Sequence, residues 1–273
     1  IVTHPNYRKK SSNALRPLLR SFHARLEEKK SVVSCFPIQP LIRYFTRKLR
    51  IRILKRVSRY LRVLKITYLL ERFVKHERLA QILSFFLQPF LDLFYFKDRF
   101  WSHEKIAIRE IHSFDERFDS LWERASRAYR VLLVRDQEYL NWRYVREPGQ
   151  KYVIFAAERE KEVLGYVVLK QVEKNNRPCG IIFDLFGVRN REVLRALVLG
   201  AVEYFKKQGL DKVEFYLSDD YYESILKSLG FLKRKIDPGR SGWLLAKSYR
   251  ADVEHDFYNP KHWFVTSSDM IMA

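Results

Sequence analysis

The order of apolar runs from Ile106 to Thr266 constrains this fold more than any other feature of the chain. Ile106–Ile111 reads as a strand, and Phe114–Ala128 as a helix with Phe118, Leu121 and Trp122 on one face. A short apolar strand or turn over Val131–Val134 precedes Asp136–Tyr144, which Pro148 and Gly149 close. Tyr152–Ala157 and Val163–Leu169 are strands, and Gly165 marks a bulge or a close backbone contact. Next come a strand over Gly180–Phe186, a helix over Glu192–Gln208 and a strand over Lys212–Leu217. A helix over Tyr221–Leu229 ends at Gly230. Phe231–Ile236, Trp243–Lys247 and Trp263–Thr266 complete the series. The order β-α-α-β-β-β-α-β-α-β-β predicts an α/β fold around a mixed sheet.

The chain before Ile106 is patterned differently. A β-branched run, Ile1–Thr3, leads into a polar, basic turn over Pro5–Asn13. Apolar residues then recur at helical spacing at Leu15, Leu18, Leu19, Phe22 and Leu26, with Ser11, Ser12 and Asn13 as candidate caps. A strand, a cationic loop and a helix N-terminus in this order suit an anion such as phosphate. Ser31–Phe36 is a strand ended by Pro37 and Pro40, a helical pattern runs through Tyr44, Phe45 and Leu49, and Leu49–Leu54 alternates as a strand does. Lys55–Phe96 reads as helical, with Arg56, Arg59, Arg62 and Lys65 among Val57, Leu61 and Leu64. Such a helix either lies on an anionic membrane or packs on a core with its cations reaching outwards. Ile82–Phe96 is interrupted by Gln88, Pro89 and Asp92 and falls short of the ~20 residues that span a bilayer. The charged run Lys97–Glu104 is the expected domain boundary.

Charge is divided in the same way. The 273 residues carry 52 Lys plus Arg against 32 Asp plus Glu, a net of +20. Residues 1–80 hold 21 basic and 4 acidic residues, so +17 of that charge lies in the first third. Phosphate-bearing ligands, anionic lipid, nucleic acid or a merely solvated surface all fit such a region. An RNP-like aromatic signature and a helix-turn-helix pattern are both missing, which ranks nucleic acid last. Two cysteines, Cys35 and Cys179, make no disulfide framework, and the seven histidines lack metal-ligand spacing, so no metal is expected. A cytoplasmic location, with the inner membrane face as a candidate peripheral site, fits this usage. The chain starts without Met and within a strand pattern, so an upstream segment is expected to be missing.

Ile1–Lys30 resembles the acyl-CoA-binding motif of the GNAT acetyltransferases, V-x-P-x-Y-R-G-x-G-x-G before a long helix. Val2, Thr3, His4, Pro5, Tyr7 and Arg8 match, whereas Lys9, Ser11 and Asn13 replace the three glycines. Those glycines let the backbone approach the CoA pyrophosphate, and Lys9 and Lys10 offer charge in their place. The resemblance makes Val2, Thr3, Arg8, Lys9, Lys10, Ser11 and Asn13 the candidate cofactor-binding residues, with acetyl-CoA or another acyl-CoA as co-substrate. Phe36 and Pro37 match the family's F-P-N turn, but Ile38 replaces its Asn, and Arg50 with Ile51 replaces a Gly-aromatic pair. Phe45 stands where many members place a general-acid Tyr, and a phenyl ring donates no proton. Its neighbour Tyr44 would point about 100° away on a helix, as a packed amphipathic tyrosine.

The second half resembles a whole further GNAT-like fold, in Tyr139–Tyr144, Gly165-Tyr166 and Leu229–Phe231. Its ending, Trp263 to Asp269, is similar to the W-x-x-T-x-G-D close of tandem GNAT-like bacterial proteins. The implied layout is residues 1–54 as the C-terminal part of a first copy, 55–104 as a basic helical bridge and 105–273 as a second copy. Its CoA loop would be Gly187–Arg191, where Arg189 and Arg191 either meet phosphate or line a surface turn. Asp184 is a candidate base or a structural carboxylate. Asp219, Asp220 and Glu223 bind an amine or cap a helix. No general base is assigned.

Two functions are compatible with these features. One is acyl transfer from acyl-CoA to an amine acceptor with one degenerate domain. The other is an inactive GNAT-fold binding module, with residues 43–65 as a candidate contact to an anionic surface.

Overall fold

The computed structural model describes residues 24–25, 28–29, 32–37, 39–71, 74, 76–95, 106–174, 176–236 and 242–270. The strand and basic turn expected over Ile1–Asn13 lie outside them. The chain divides into two compact units, residues 1–56 with 237–262 and residues 57–236 with 263–273.

The first unit contains β1 (Val32–Cys35), α1 (Gln39–Arg47) and β2 (Arg52–Arg56). Its three-stranded antiparallel sheet places β10 (Trp243–Ser248) between β1 and β2. Leu49, Ile51 and Leu245 form a small core against Cys35, Tyr44, Phe45 and Trp243. Tyr44 and Phe45 pack edge to face, with centroids 6.2 Å apart. Between α1 and β2 the chain turns at Arg50, whose φ is 52°. Glycine favours that backbone, and Arg50 stands where the motif that the sequence resembles has a glycine.

The second unit begins with β3 (Ser58–Val63), α2 (Thr67–Leu70) and α3 (Glu77–Phe94). It continues through β4 (Ala107–Ile111), α4 (Arg117–Ser126) and α5 (Gln137–Leu140), which runs into a π-helical turn over Asn141–Val145. Then come β5 (Val153–Arg159), β6 (Glu162–Glu173), β7 (Pro178–Gly187) and α6 (Arg191–Lys207), followed by β8 (Lys212–Leu217), α7 (Asp220–Ser228) and β9 (Leu232–Arg234). The seven-stranded sheet runs β4-β5-β6-β7-β8-β3-β9, and within it only β7 and β8 are parallel. One buried face of α6 (Val193, Leu194, Leu197, Val198, Ala201, Val202, Phe205) and one of α4 (Phe118, Leu121, Ala125) supply much of the core.

Three expectations change. The helix read from Lys55 is strand as far as Val63, because Arg62 does not reach outwards: it is 2% exposed, donates to Leu229 O at 2.7 Å and stacks on Tyr95 at 3.9 Å. The strand at Trp243 pairs in the first unit's sheet instead of ending the second sheet. Trp263–Thr266 forms only isolated bridges, Trp263 to Val131 and Thr266 to Leu217. The close contact at Gly165 is present: a Cβ there would lie 3.0 Å from Gly187 Cα.

The two units repeat a pattern. A strand, a helix, a left-handed residue and a strand recur as β1-α1-Arg50-β2 and as β8-α7-Gly230-β9, with Gly230 at φ 75°. Each pair of strands receives a third between them: β10 enters β1/β2, and β3 enters β8/β9. β3 comes after β2 in sequence, and β10 after β9.

Candidate functional site

The site starts from a defect in pairing. β7 and β8 hydrogen-bond only from Cys179–Ile182 to Lys212–Phe215. On its other side β7 pairs Asp184 with Val168 and Ile182 with Leu169, which leaves Phe183 as an extra, bulged residue. A bulge bends a strand and re-aims its later residues. β7 therefore leaves β8 beyond Ile182, and the opening exposes backbone groups that need partners.

The C-terminal segment of the chain fills this opening. The Ser267 hydroxyl donates to Ile182 O at 3.0 Å and accepts from Tyr216 N at 3.0 Å. Ser218 N donates to Val265 O at 3.1 Å, and Phe264 N donates to Val131 O at 3.0 Å. Thr266 and Asp269 lock the segment with a capping box, in which Thr266 N donates to an Asp269 carboxylate oxygen at 2.8 Å.

Below this plug lies a buried charge cluster. Arg135 is 1% exposed and Asp184 fully buried. The guanidinium meets Asp184 at 3.2 Å and Asp269 at 2.9 Å, and donates to Leu133 O at 3.0 Å. Asp184 also accepts from Tyr166 at 2.8 Å, Thr266 at 2.8 Å, Tyr144 at 3.0 Å and Leu185 N at 3.1 Å. Burial opposes the Arg135 charge, but Asp184 and Asp269 hold its pKa well above the usual value. Burial, then the Asp184 charge, pushes the Tyr144 and Tyr166 hydroxyls far up. A carboxylate offers about four lone-pair sites, and those of Asp184 are all taken. Asp184 is a structural carboxylate, because a base needs a lone pair open to the substrate.

The neighbouring loop is closed in the same way. Asn190 caps α6, its side chain accepting from Glu192 N at 2.9 Å and Val193 N at 3.2 Å. Glu192 adds negative charge in the first turn. Arg189 faces Asp219 at 3.8 Å and stacks on Tyr221 at 4.6 Å, and Arg191 donates to Ser224 at 3.2 Å. A pyrophosphate would meet occupied N–H groups, a carboxylate and engaged arginines, so these residues do not fit acyl-CoA. Asp219 accepts from Tyr222 N at 2.9 Å, as a helix cap, while Glu223 binds Tyr60, Lys227 and Lys233. Burial pushes the Cys179 thiol up to about 12, so it is no nucleophile at neutral pH.

The structure thus brings Asp184 and the Gly187–Arg191 loop together around one filled opening. Val2, Thr3, Arg8, Lys9, Lys10, Ser11 and Asn13 lie outside the described residues. Arg135 escaped the sequence reading. Its signal was indirect: a carboxylate inside the apolar run of β7 demands a cation, and Arg135 comes directly after the apolar run Val131–Val134. Among the described residues no three His, Cys, Asp or Glu side chains form a group that could hold a metal.

Solved structures resemble the whole chain. A conserved protein from Enterococcus faecalis described as a probable N-acyltransferase superposes over 99% of this chain and 63% of its own, with TM-score 0.53 and 11% identity. A GCN5-related N-acetyltransferase from Anabaena variabilis matches over 90% of this chain and 53% of its own, with TM-score 0.58 and 10% identity. A tandem GNAT protein from the clavulanic acid biosynthesis pathway matches over 91% of this chain and 73% of its own, with TM-score 0.50 and 13% identity. The chain therefore spans less than two thirds of the length of the first two. No protein-family model and no curated protein matches the sequence.

Proposed function

We infer that this chain, which carries the GNAT fold, serves an acyltransferase that moves an acyl group from acyl-CoA to an amine, with its second unit as a silent copy. The observation that carries this reading is the filled opening between β7 and β8, together with the capped loop at Asn190. That unit has given its cleft to its own C-terminal segment, which leaves the Val2–Asn13 motif to hold the co-substrate. The first unit, as the remaining part of another copy, is supported by the repeated strand–helix–left-handed residue–strand pattern.

In this reading Arg8, Lys9 and Lys10 neutralise the pyrophosphate, while Ser11 and Asn13 offer N–H and side-chain donors at a helix N-terminus. Val2 and Thr3, in the run expected as a strand from sequence, would offer backbone groups to an extended ligand. Acyl-CoA, as a substrate, brings an activated thioester, and the acceptor brings the amine.

Calorimetric titration with acetyl-CoA tests the assignment. The wild type should bind with Kd on the order of micromolar. Arg8→Ala should abolish the heat, and Arg189→Ala, in the silent copy, should leave it unchanged. Loss of binding in Arg189→Ala alone would move the site to the second unit. No binding by the wild type at millimolar ligand would end the acyltransferase reading.

A further inference from the structure

α3 is built inside out. The residues it turns towards its own unit are mostly small or polar: Ala80 is fully buried, and Ser84 and Gln88 are half-buried, with Leu91 the one large apolar side chain among those described. Gln88 donates to Leu64 O at 3.1 Å and accepts from Ile66 N at 2.9 Å. On the opposite arc stand Leu79, Ile82, Phe85, Phe86, Phe90 and Leu93. Phe85 is 77% exposed, Phe90 69%, Leu93 66% and Phe86 64%. A soluble surface scatters single apolar side chains, whereas this one gathers them along a whole helix.

α3 carries three charged residues, Glu77, Arg78 and Asp92; Lys206 pairs with Asp92 at 2.8 Å, and Gln88 donates to it at 3.2 Å. Arg78 is exposed at the N-terminal end of the apolar arc. The chain leading into α3 carries most of the net charge, +17 over residues 1–80. No helix among the described residues is long and apolar enough to cross a membrane.

We propose that α3 is an interfacial membrane helix, lying in the plane of an anionic bilayer with Phe85, Phe86 and Phe90 sunk below the headgroups. The apolar arc supplies the buried area, and the basic chain before it supplies attraction to anionic lipid. A second copy on the same face would bring like charges together, which disfavours it as the occupant. The inference stands apart from acyl transfer and holds for an active or an inactive chain.

Co-sedimentation of the full chain with phosphatidylcholine vesicles, with and without phosphatidylglycerol, decides it. The wild type should pellet with the anionic vesicles. Phe85→Glu with Phe90→Glu should lower partitioning by at least about tenfold. Circular dichroism and the melting midpoint should stay unchanged in this variant, since both side chains are exposed. In Phe86→Trp the fluorescence added over wild type should shift to the blue on anionic vesicles. The proposal falls if the wild type stays in solution, if the added fluorescence does not shift, or if the double variant binds as tightly as the wild type. It also falls if the wild type is a dimer in solution that the double variant dissolves into monomers.

Discussion

Arg135 stands as one positive charge against two buried carboxylates, so its loss would leave both without compensation. Arg135→Leu should destabilise the protein by about 3–5 kcal/mol, read as the shift in urea midpoint multiplied by the slope. Lys207→Ala removes an exposed pair with Glu203 and should change stability by less than ~1 kcal/mol in the same assay. Asp184 was half legible in the sequence, since a carboxylate in an apolar strand is conspicuous. Its partners were not, because Arg135, Tyr144, Tyr166, Thr266 and Asp269 converge from distant segments. Arg50 teaches the complementary lesson. It stands where the motif that the sequence resembles has glycine, and its backbone is left-handed at φ 52°, so residue identity there hid the conformation.

Elements were more legible than their partners. β8 falls on the expected Lys212–Leu217, and α6 and α7 lie within a residue or so of expectation, because a local apolar period reports burial. The failure at Lys55 has a physical cause: Val57, Leu61 and Leu64 fit a helical stripe, while Arg62 is buried in a strand, which local pattern does not anticipate. The link between β3 and α7 is chemical as well as apolar, since Tyr60 donates to Glu223. Burial pushes the Glu223 carboxyl up, but hydrogen bonds from Lys227, Tyr60 and Lys233 outweigh it and hold its pKa at about 2. A carboxyl lowered in this way stabilises the folded state fully above its unfolded pKa of ~4.3, and loses that stabilisation as pH falls towards 2. Glu223→Gln should therefore lower stability by about 1 kcal/mol at pH 7, after allowance for solvent screening, and flatten the acid limb. Urea melts from pH 7 down to pH 3 would show the wild type and the variant converging.

At the scale of the molecule, the α/β class and mixed sheet were readable from the order of elements, and the solved structures share that fold. The filled opening was not readable, because the Trp263–Asp269 ending looks the same whether it borders a cleft or plugs one. Nor was the placement of β3 and β10, since a strand's sequence reports its faces and not its neighbours. That placement has a consequence for inheritance. β10 is encoded after the whole second unit, yet it is the middle strand of the first unit's sheet, and β3 is encoded before the second sheet that it completes. Fragments 1–104 and 105–273, made separately, should each lack an inner strand, aggregate or stay loosely folded, and assemble one-to-one when refolded together, as light scattering would register. A gene that deleted its second half would also remove the strand holding its first half together. The first unit's sheet thereby depends on chain encoded beyond the second unit.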